Sequence, residues 1–244
     1  FQANIYKEDF TEEQLSKSTK QAIRTARNKG ISVQFGGTEL LDQFADLMKK
    51  TEARKNIHLR GIDYYEKLLT SYITLSTLDL PARLKDLNKQ LEKNIADAAK
   101  FTEKTKPGKI ENNKQEYKRL SEEIAFLQEK VDAGNKIVPL SGTLVLEFGN
   151  TAENIYAGMD EDYRRYQPAI LTWFETANHA FERGAKWQNM GGIENSLDGG
   201  LYNFKSKFNP RIEQFIGEFN LPVSPFYGLA NFAYKVRKKL RSKH

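Results

Sequence analysis

The order of periodic segments predicts an α+β or α/β domain built on a mixed sheet and interrupted by an inserted helical hairpin. Three observations carry that expectation. Short strand-like segments occur on both sides of the chain's middle, and amphipathic helical segments sit between them. Residues 79–132 lack strand signals and space their apolar residues as heptads instead. Residues 1–78 and 133–244 are therefore expected to form one sheet domain, with 79–132 as an arm inserted into it.

In chain order, Thr11-Glu12-Glu13-Gln14 has capping-box spacing, which predicts a helix through Ala22, Ile23 and Ala26 with Gly30 as its stop. Ile31–Phe35 alternates like a short strand. Thr38 reads as the cap of a second helix that turns Leu40, Leu41, Phe44, Leu47 and Met48 inward. Tyr72–Leu78 reads as the strand leading into the arm. The arm's first seam is Leu80, Leu84, Leu87, Leu91, Ile95 and Ala98, and its second is Ile110, Tyr117, Leu120, Ile124, Leu127 and Val131. Between them Pro107-Gly108 breaks the helix, so the expectation is an antiparallel coiled-coil hairpin. An arm of about 24 residues would project roughly 36 Å. Thr143–Phe148 and Ile155–Ala157 read as the strands that resume the sheet. Pro168 opens a helix with Ile170, Phe174, Ala177 and Phe181 on one face, ended by Gly184. Lys186–Met190 and Gln214–Phe219 are the last strand candidates.

The chain has 244 residues, 39% hydrophobic and 29% charged, which suits a folded domain with a core. No stretch approaches the roughly 18 apolar residues of a spanning helix. With zero cysteines, disulfides, thiolate metal sites and a cysteine nucleophile are excluded. The first residue is Phe1, so a piece of a longer polypeptide is expected. The net charge of +6 is local: Lys235, Arg237, Lys238, Lys239, Arg241 and Lys243 form an acid-free tail. Setting these six aside leaves 32 bases against 32 acids. Such a tail reads either as a contact for phosphates, of lipid or nucleic acid, or as a solvated end.

The stretch Gly191-Gly192-Ile193-Glu194-Asn195-Ser196-Leu197-Asp198-Gly199-Gly200-Leu201-Tyr202-Asn203-Phe204-Lys205 resembles the Fem family of peptidoglycan aminoacyltransferases. Further blocks agree, in the family's order: Ser18–Arg24 with Ala26 and Gly30, Arg60-Gly61-Ile62-Asp63-Tyr64, Tyr156-Ala157-Gly158-Met159, and Phe215–Phe219. The resemblance implies a domain of the Gcn5-type N-acetyltransferase kind, the second of two in the family, with the first absent from this chain. It further implies an aminoacyl-tRNA donor and a lipid- or UDP-linked muramyl pentapeptide acceptor whose stem-peptide lysine supplies the amine. The setting it implies is the inner face of a Gram-positive plasma membrane.

The resemblance places Lys205 at the acyl or donor end, where a flexible ammonium would stabilise the developing oxyanion. From spacing alone Lys205 reads as a surface lysine. It also places Arg60, Tyr64 and Tyr156 at the precursor phosphates, which guanidinium contacts bidentately. Phe204 reads as a packing residue with a share in lining the channel. Arg60 and Tyr64, four apart, are expected on one helix face unless Gly61 breaks the turn. The hairpin tip, Lys100–Arg119, holds seven bases against three acids, so Lys104, Lys106 and Lys109 are candidates for a tRNA backbone contact. The competing reading is a solvated helical pair, and for the whole chain a tRNA- or partner-binding module without chemistry. Arg237, Lys238, Lys239 and Arg241 are the tail's candidates for membrane or phosphate contact. No cofactor is expected: the glycine loop lacks a P-loop ending and the GxGxxG pattern, and no coenzyme A pyrophosphate loop is found. His58, His179 and His244 lack metal-ligand spacing, so no metal is expected.

Overall fold

The computed structural model describes residues 1–194, 196–217 and 221–241. The chain divides into two compact units, Phe1–Glu213 and Gln214–His244.

The larger unit is built on one seven-stranded sheet in the order β2-β3-β4-β5-β6-β1-β7. Its strands are β1 (Gln2–Tyr6), β2 (Ile31–Gly36), β3 (Tyr72–Asp79), β4 (Ile137–Phe148), β5 (Thr151–Met159), β6 (Trp187–Gly192) and β7 (Arg211–Glu213). Every pairing is antiparallel except β5 with β6, which run parallel. A parallel pair needs a crossover, supplied here by α6 (Pro168–Glu182). A short helix, α7 (Gly200–Lys205), lies between β6 and β7 in the chain.

Two apolar clusters cover the sheet. One joins α1 (Lys17–Asn28) through Ile23 and Ala26, the α6 residues Ile170, Phe174 and Ala177, and Ala3 and Ile5 of β1. The other joins α2 (Leu41–Lys55) and α3 (Ile62–Leu68) through Phe44, Leu47 and Tyr65 to Ile73 and Leu75 of β3. With both faces covered, β3 is buried from Tyr72 through Leu78. α6 is buried well beyond the expected stripe, with Leu171, Thr172, Trp173 and Thr176 also enclosed. It lies against α1 as well as the sheet, and buried hydroxyls bridge its inner side: Ser76 meets Thr172 at 2.5 Å and Thr143 meets Thr176 at 3.0 Å.

Several expectations shift. Thr11 caps a short 3-10 turn, Glu12–Gln14, its N–H donating to Gln14 Oε1 at 3.0 Å. The helix starts afresh at Lys17, where the Ser16 hydroxyl accepts the Thr19 N–H at 3.2 Å. Thr38 begins a 3-10 turn ahead of α2 and does not cap it, although the five expected residues are buried. The final strand is Arg211–Glu213, ahead of the expected Gln214–Phe219, because its partner is β1. Phe215 and Ile216 are exposed, and Phe219 lies outside the described residues. β1 itself was not expected.

Between β3 and β4 run α4 (Leu80–Ala98) and α5 (Pro107–Asp132). They pair in opposite directions: Arg83 meets Glu123 near the base, and Asn94 and Asn113 exchange side-chain to carbonyl bonds of 3.3 and 3.0 Å further out. Leu80, Leu84, Leu87, Leu120 and Leu127 are buried at the base, while Ile95 and Tyr117 of the expected seam are half exposed. The base is also pinned electrostatically. Glu123, 2% exposed, accepts from Arg83, Arg119 and the Tyr166 hydroxyl, with the Lys29 ammonium at 3.6 Å.

In the smaller unit, α8 spans Tyr227–Arg241. Leu229 and Phe232 are exposed on it. No helix among the described residues is long and apolar enough to cross a membrane.

Candidate active site

β5 and β6 pair only from Thr151 with Trp187 to Glu153 with Asn189. Beyond that, β5 continues along β4 to Met159 and β6 along β1 to Gly192, so the two strands part as a fork. Both outer pairings carry a register shift at this level, between Leu144 and Val145 on one side and between Gln2 and Asn4 on the other. Such irregularities bend strands, and here they flank the opening.

Lys205 reaches this fork from the last turn of α7. Its Nζ donates to the Gly192 carbonyl oxygen at 2.7 Å, and the residue is 6% exposed. Burial lowers its pKa to about 8, against the opposing charge of Glu194. Gly191 beside it has φ +83°, a backbone conformation that favours glycine, and its missing Cβ would lie in ordinary contact, 3.4 Å, with the Lys205 Nζ. The Asn189 side-chain oxygen holds this turn by accepting the Gly191 N–H at 2.7 Å.

The position of α7 depends on Glu194, whose carboxylate accepts the N–H groups of Leu201 and Tyr202 at 2.8 and 3.1 Å. These amides would otherwise be orphan donors of a helix start, and their bonds hold the Glu194 carboxyl below its ordinary pKa. Gly199 allows the approach, since a Cβ there would collide with the Glu194 carboxyl group. Phe204 packs edge-on against Trp173 and Phe208, with ring centroids 5.3 and 5.6 Å away.

Arg60, Tyr64 and Tyr156 are brought together on the α2 and α3 side of the sheet. The Arg60 guanidinium lies 5.2 Å from the Tyr64 ring centroid, and Tyr64 meets Tyr156 edge-on at 6.3 Å. Arg60 does not share a helix face with Tyr64, because α3 starts at Ile62 with Gly61 as its cap position. It instead reaches Tyr64 from the preceding loop. Tyr65, which the sequence did not single out, is buried and links Phe44 at 5.6 Å to Tyr156 at 5.1 Å. Burial raises the Tyr156 pKa, as does Tyr64, with Arg60 opposing.

The other candidates lie elsewhere. Lys104, Lys106 and Lys109 sit where α4 turns into α5, with the Lys109 ammonium 5.5 Å from the Phe101 ring. Arg237 is exposed on α8, and the side chains of Lys238, Lys239 and Arg241 lie outside the described residues. His179 stacks on Phe35 at 3.9 Å, and His58 faces Glu52 at 3.3 Å. His244 is outside the described residues.

The profile of the FemAB family matches residues 1–235. Among curated proteins, a "Lipid II:glycine glycyltransferase" of Staphylococcus epidermidis is 28% identical over 256 residues, covering 95% of this chain and 60% of its own length. "Aminoacyltransferase FemB" of the same species is 28% identical over 91% of this chain and 57% of its own length. "Aminoacyltransferase FemA" of Staphylococcus aureus is 24% identical over 92% and 57%. The chain thus spans 60% or less of the length of these three relatives. The crystal structure of FemX shares the fold at 22% identity, with a TM-score of 0.62 over 86% of this chain and 58% of that one. A family profile that runs from the first strand into the last helix, over a fold shared with FemX, makes this chain a member of the FemAB family.

Proposed function

We propose that this chain is the second, Gcn5-type domain of a peptidoglycan aminoacyltransferase that transfers an aminoacyl group from aminoacyl-tRNA to an amine on a lipid-linked precursor. The observation that carries the proposal is the buried Lys205 ammonium at the mouth of the β5–β6 fork. The relatives' names support the reaction class and, for the glycyltransferase, an acceptor that is lipid II.

In this proposal the neutral acceptor amine attacks the ester carbonyl carbon, and the carbonyl oxygen becomes an oxyanion. One N–H of Lys205 is engaged by Gly192, which leaves two to donate to that oxygen. Collapse expels the ribose oxygen, and a proton from the attacking nitrogen ends on it. No covalent enzyme intermediate is needed. Arg60, with Tyr64 and Tyr156, would hold precursor phosphates, since a guanidinium resting on an aromatic face keeps N–H groups free for oxygen acceptors. The α4–α5 pair, read as a coiled-coil arm, would meet the tRNA backbone through Lys104, Lys106 and Lys109, and the α8 tail would meet anionic lipid.

The test supplies charged tRNAs and lipid-linked precursor to the polypeptide that carries this chain and reads product mass. Addition of one aminoacyl residue, lost at least about tenfold in Lys205→Ala, is the expected result. RNA binding without product, under conditions where a relative reacts, would favour a binding module instead.

A further inference from the structure

The β5–β6 ladder ends where Glu153 pairs with Asn189, and a side-chain bond crosses past that end. Gln188, the register partner of Ala152, reaches two residues further along β5, where its Nε2 donates to the Asn154 Oδ1 at 2.6 Å. Both side chains face the α1 and α6 cluster, in step with Ala152 on β5 and Met190 on β6. Asn154 is 7% exposed and Gln188 1%. Each strand then carries an extra residue. On β5, Asn154 pairs with Val145 and Tyr156 with Leu144, so Ile155 is the extra one. On β6, Asn189 pairs with Asn4 and Gly192 with Gln2, so three steps of β6 oppose two of β1. The amide bond therefore ties the two strands at the last point before both bend away.

This pair is costly to bury. The Asn154 Nδ2 and the Gln188 Oε1 are enclosed and have no hydrogen-bond partner among the described residues. Reversing both amides reverses the bond and still leaves one donor and one acceptor unpaired. Such atoms destabilise a fold, whereas an apolar pair of the same shape carries no such penalty. Stability does not account for two amides here, but their position does. The point where a Gly191 Cβ would stand is 3.9 Å from the Asn154 carbonyl oxygen and 3.4 Å from the Lys205 Nζ. The end of the β5 tie, the glycine turn and the ammonium thus meet at one place. We propose that the Asn154–Gln188 bond is a strut that sets the opening of the fork and so the seat of the Lys205 ammonium, which makes both residues positioning residues for the transfer. Its catalytic meaning rests on the reading of Lys205 given above; the strut itself does not, so the two are tested apart.

The experiment follows the titration of the Lys205 side chain by NMR in the full chain without substrates, its signal identified by its loss in Lys205→Arg. Burial places the parent's midpoint near 8, with Glu194 the charged group that opposes the shift. In Asn154→Leu/Gln188→Met the fork loses its tie and water reaches the ammonium. The midpoint should then rise by at least about one unit towards the ordinary lysine value. The thermal midpoint of this variant at pH 7 should equal or exceed the parent's. The exchanged pair Asn154→Gln/Gln188→Asn keeps an amide on each strand, and its titration should stay within about half a unit of the parent's. The strut is overturned if the apolar pair titrates like the parent or lower, if it is less stable than the parent, or if the exchanged pair moves as far. Transfer by the polypeptide that carries this chain should fall at least about fivefold in the apolar pair. A moved titration with unchanged transfer keeps the strut and removes Lys205 from the reaction, whereas lost transfer with an unmoved titration removes the strut.

Discussion

The Lys205 ammonium and the Gly192 carbonyl are joined by a 2.7 Å hydrogen bond that fixes a cation on the β6 side of the strand fork. Burial holds that cation's pKa near 8. If the ammonium is the oxyanion donor, transfer falls as pH rises through about 8 and the amine loses its charge. Lys205→Arg should move this alkaline limb outward, because guanidinium stays protonated, at some cost in rate from its different shape. The check is the pH profile of kcat/KM for the polypeptide that carries this chain. A limb that stays in place in the variant would assign it to another group.

The same shift makes a stability prediction. The folded-state pKa, about 8, lies below the ordinary 10.5, so the unfolded chain holds the proton more tightly. The resulting destabilisation is full below about pH 8 and disappears as pH rises past the unfolded value. Lys205→Met removes it and also removes the bond to Gly192, for a net gain of about 1–2 kcal/mol at pH 7. Thermal midpoints should show a larger gain at pH 7 than at pH 10.

Glu123 is enclosed where the α4–α5 pair leaves the sheet. Burial pushes its carboxyl up; the Arg83 bond, Lys29 and the Tyr166 hydroxyl outweigh that, leaving it below the ordinary value. Its contribution is therefore present above the unfolded carboxylate pKa and lost as pH falls through the depressed one. Glu123→Leu leaves the buried Arg83 with only the half-exposed Asp86, 2.7 Å away, as a carboxylate partner and should cost about 3 kcal/mol. Adding Arg83→Met should cost less than the sum of the singles by more than about 1 kcal/mol in denaturant unfolding.

Elements with strong local periodicity were readable in the sequence; those placed by distant partners were not. α2 and the apolar run Tyr72–Leu78 follow from their own patterns. β1 has only Ala3 and Ile5 as apolar core residues, and its place comes from β6 and β7, more than 180 positions away. The seam of α4 and α5 is real in spacing but buried only at its base. Further out, Asn94 and Asn113 meet as polar partners, and Ile95 is 50% exposed. Spacing alone made residue 205 a surface lysine, and the family resemblance gave it a role without a burial; the burial arises from α7 bringing Lys205 onto the Gly192 carbonyl, a tertiary contact. Gly158 in the Tyr156–Met159 block is explained by α2, whose Leu47 carbonyl would lie 3.0 Å from an added Cβ.

In the proposed reaction the Arg60–Tyr64–Tyr156 cluster binds the precursor and takes no part in the chemistry. Arg60→Ala should raise KM for the lipid-linked precursor about tenfold or more while changing kcat little, the mark of an interaction made equally in ground and transition states. Arg60→Lys should recover only part of it, because an ammonium lacks the planar fork that both rests on Tyr64 and meets phosphate. A kcat defect with unchanged KM would place Arg60 at the reacting atoms instead.

Glu194 and Gly199 act as one device for aiming Lys205. The carboxylate holds the Leu201 and Tyr202 amides, and the missing side chain at residue 199 lets it get there. Gly199→Ala would push the Glu194 side chain off those amides, releasing the first turn of the helix whose last residue is Lys205. Glu194→Ala releases the same turn by removing the acceptor. Each variant should lower kcat, and the double variant should be no worse than about twofold below the weaker single, as expected for residues that share one interaction. Glu194→Gln, which retains one acceptor oxygen, should recover part of the rate. Multiplicative losses in the double variant would mean that Glu194 acts on the reaction by some route other than holding α7.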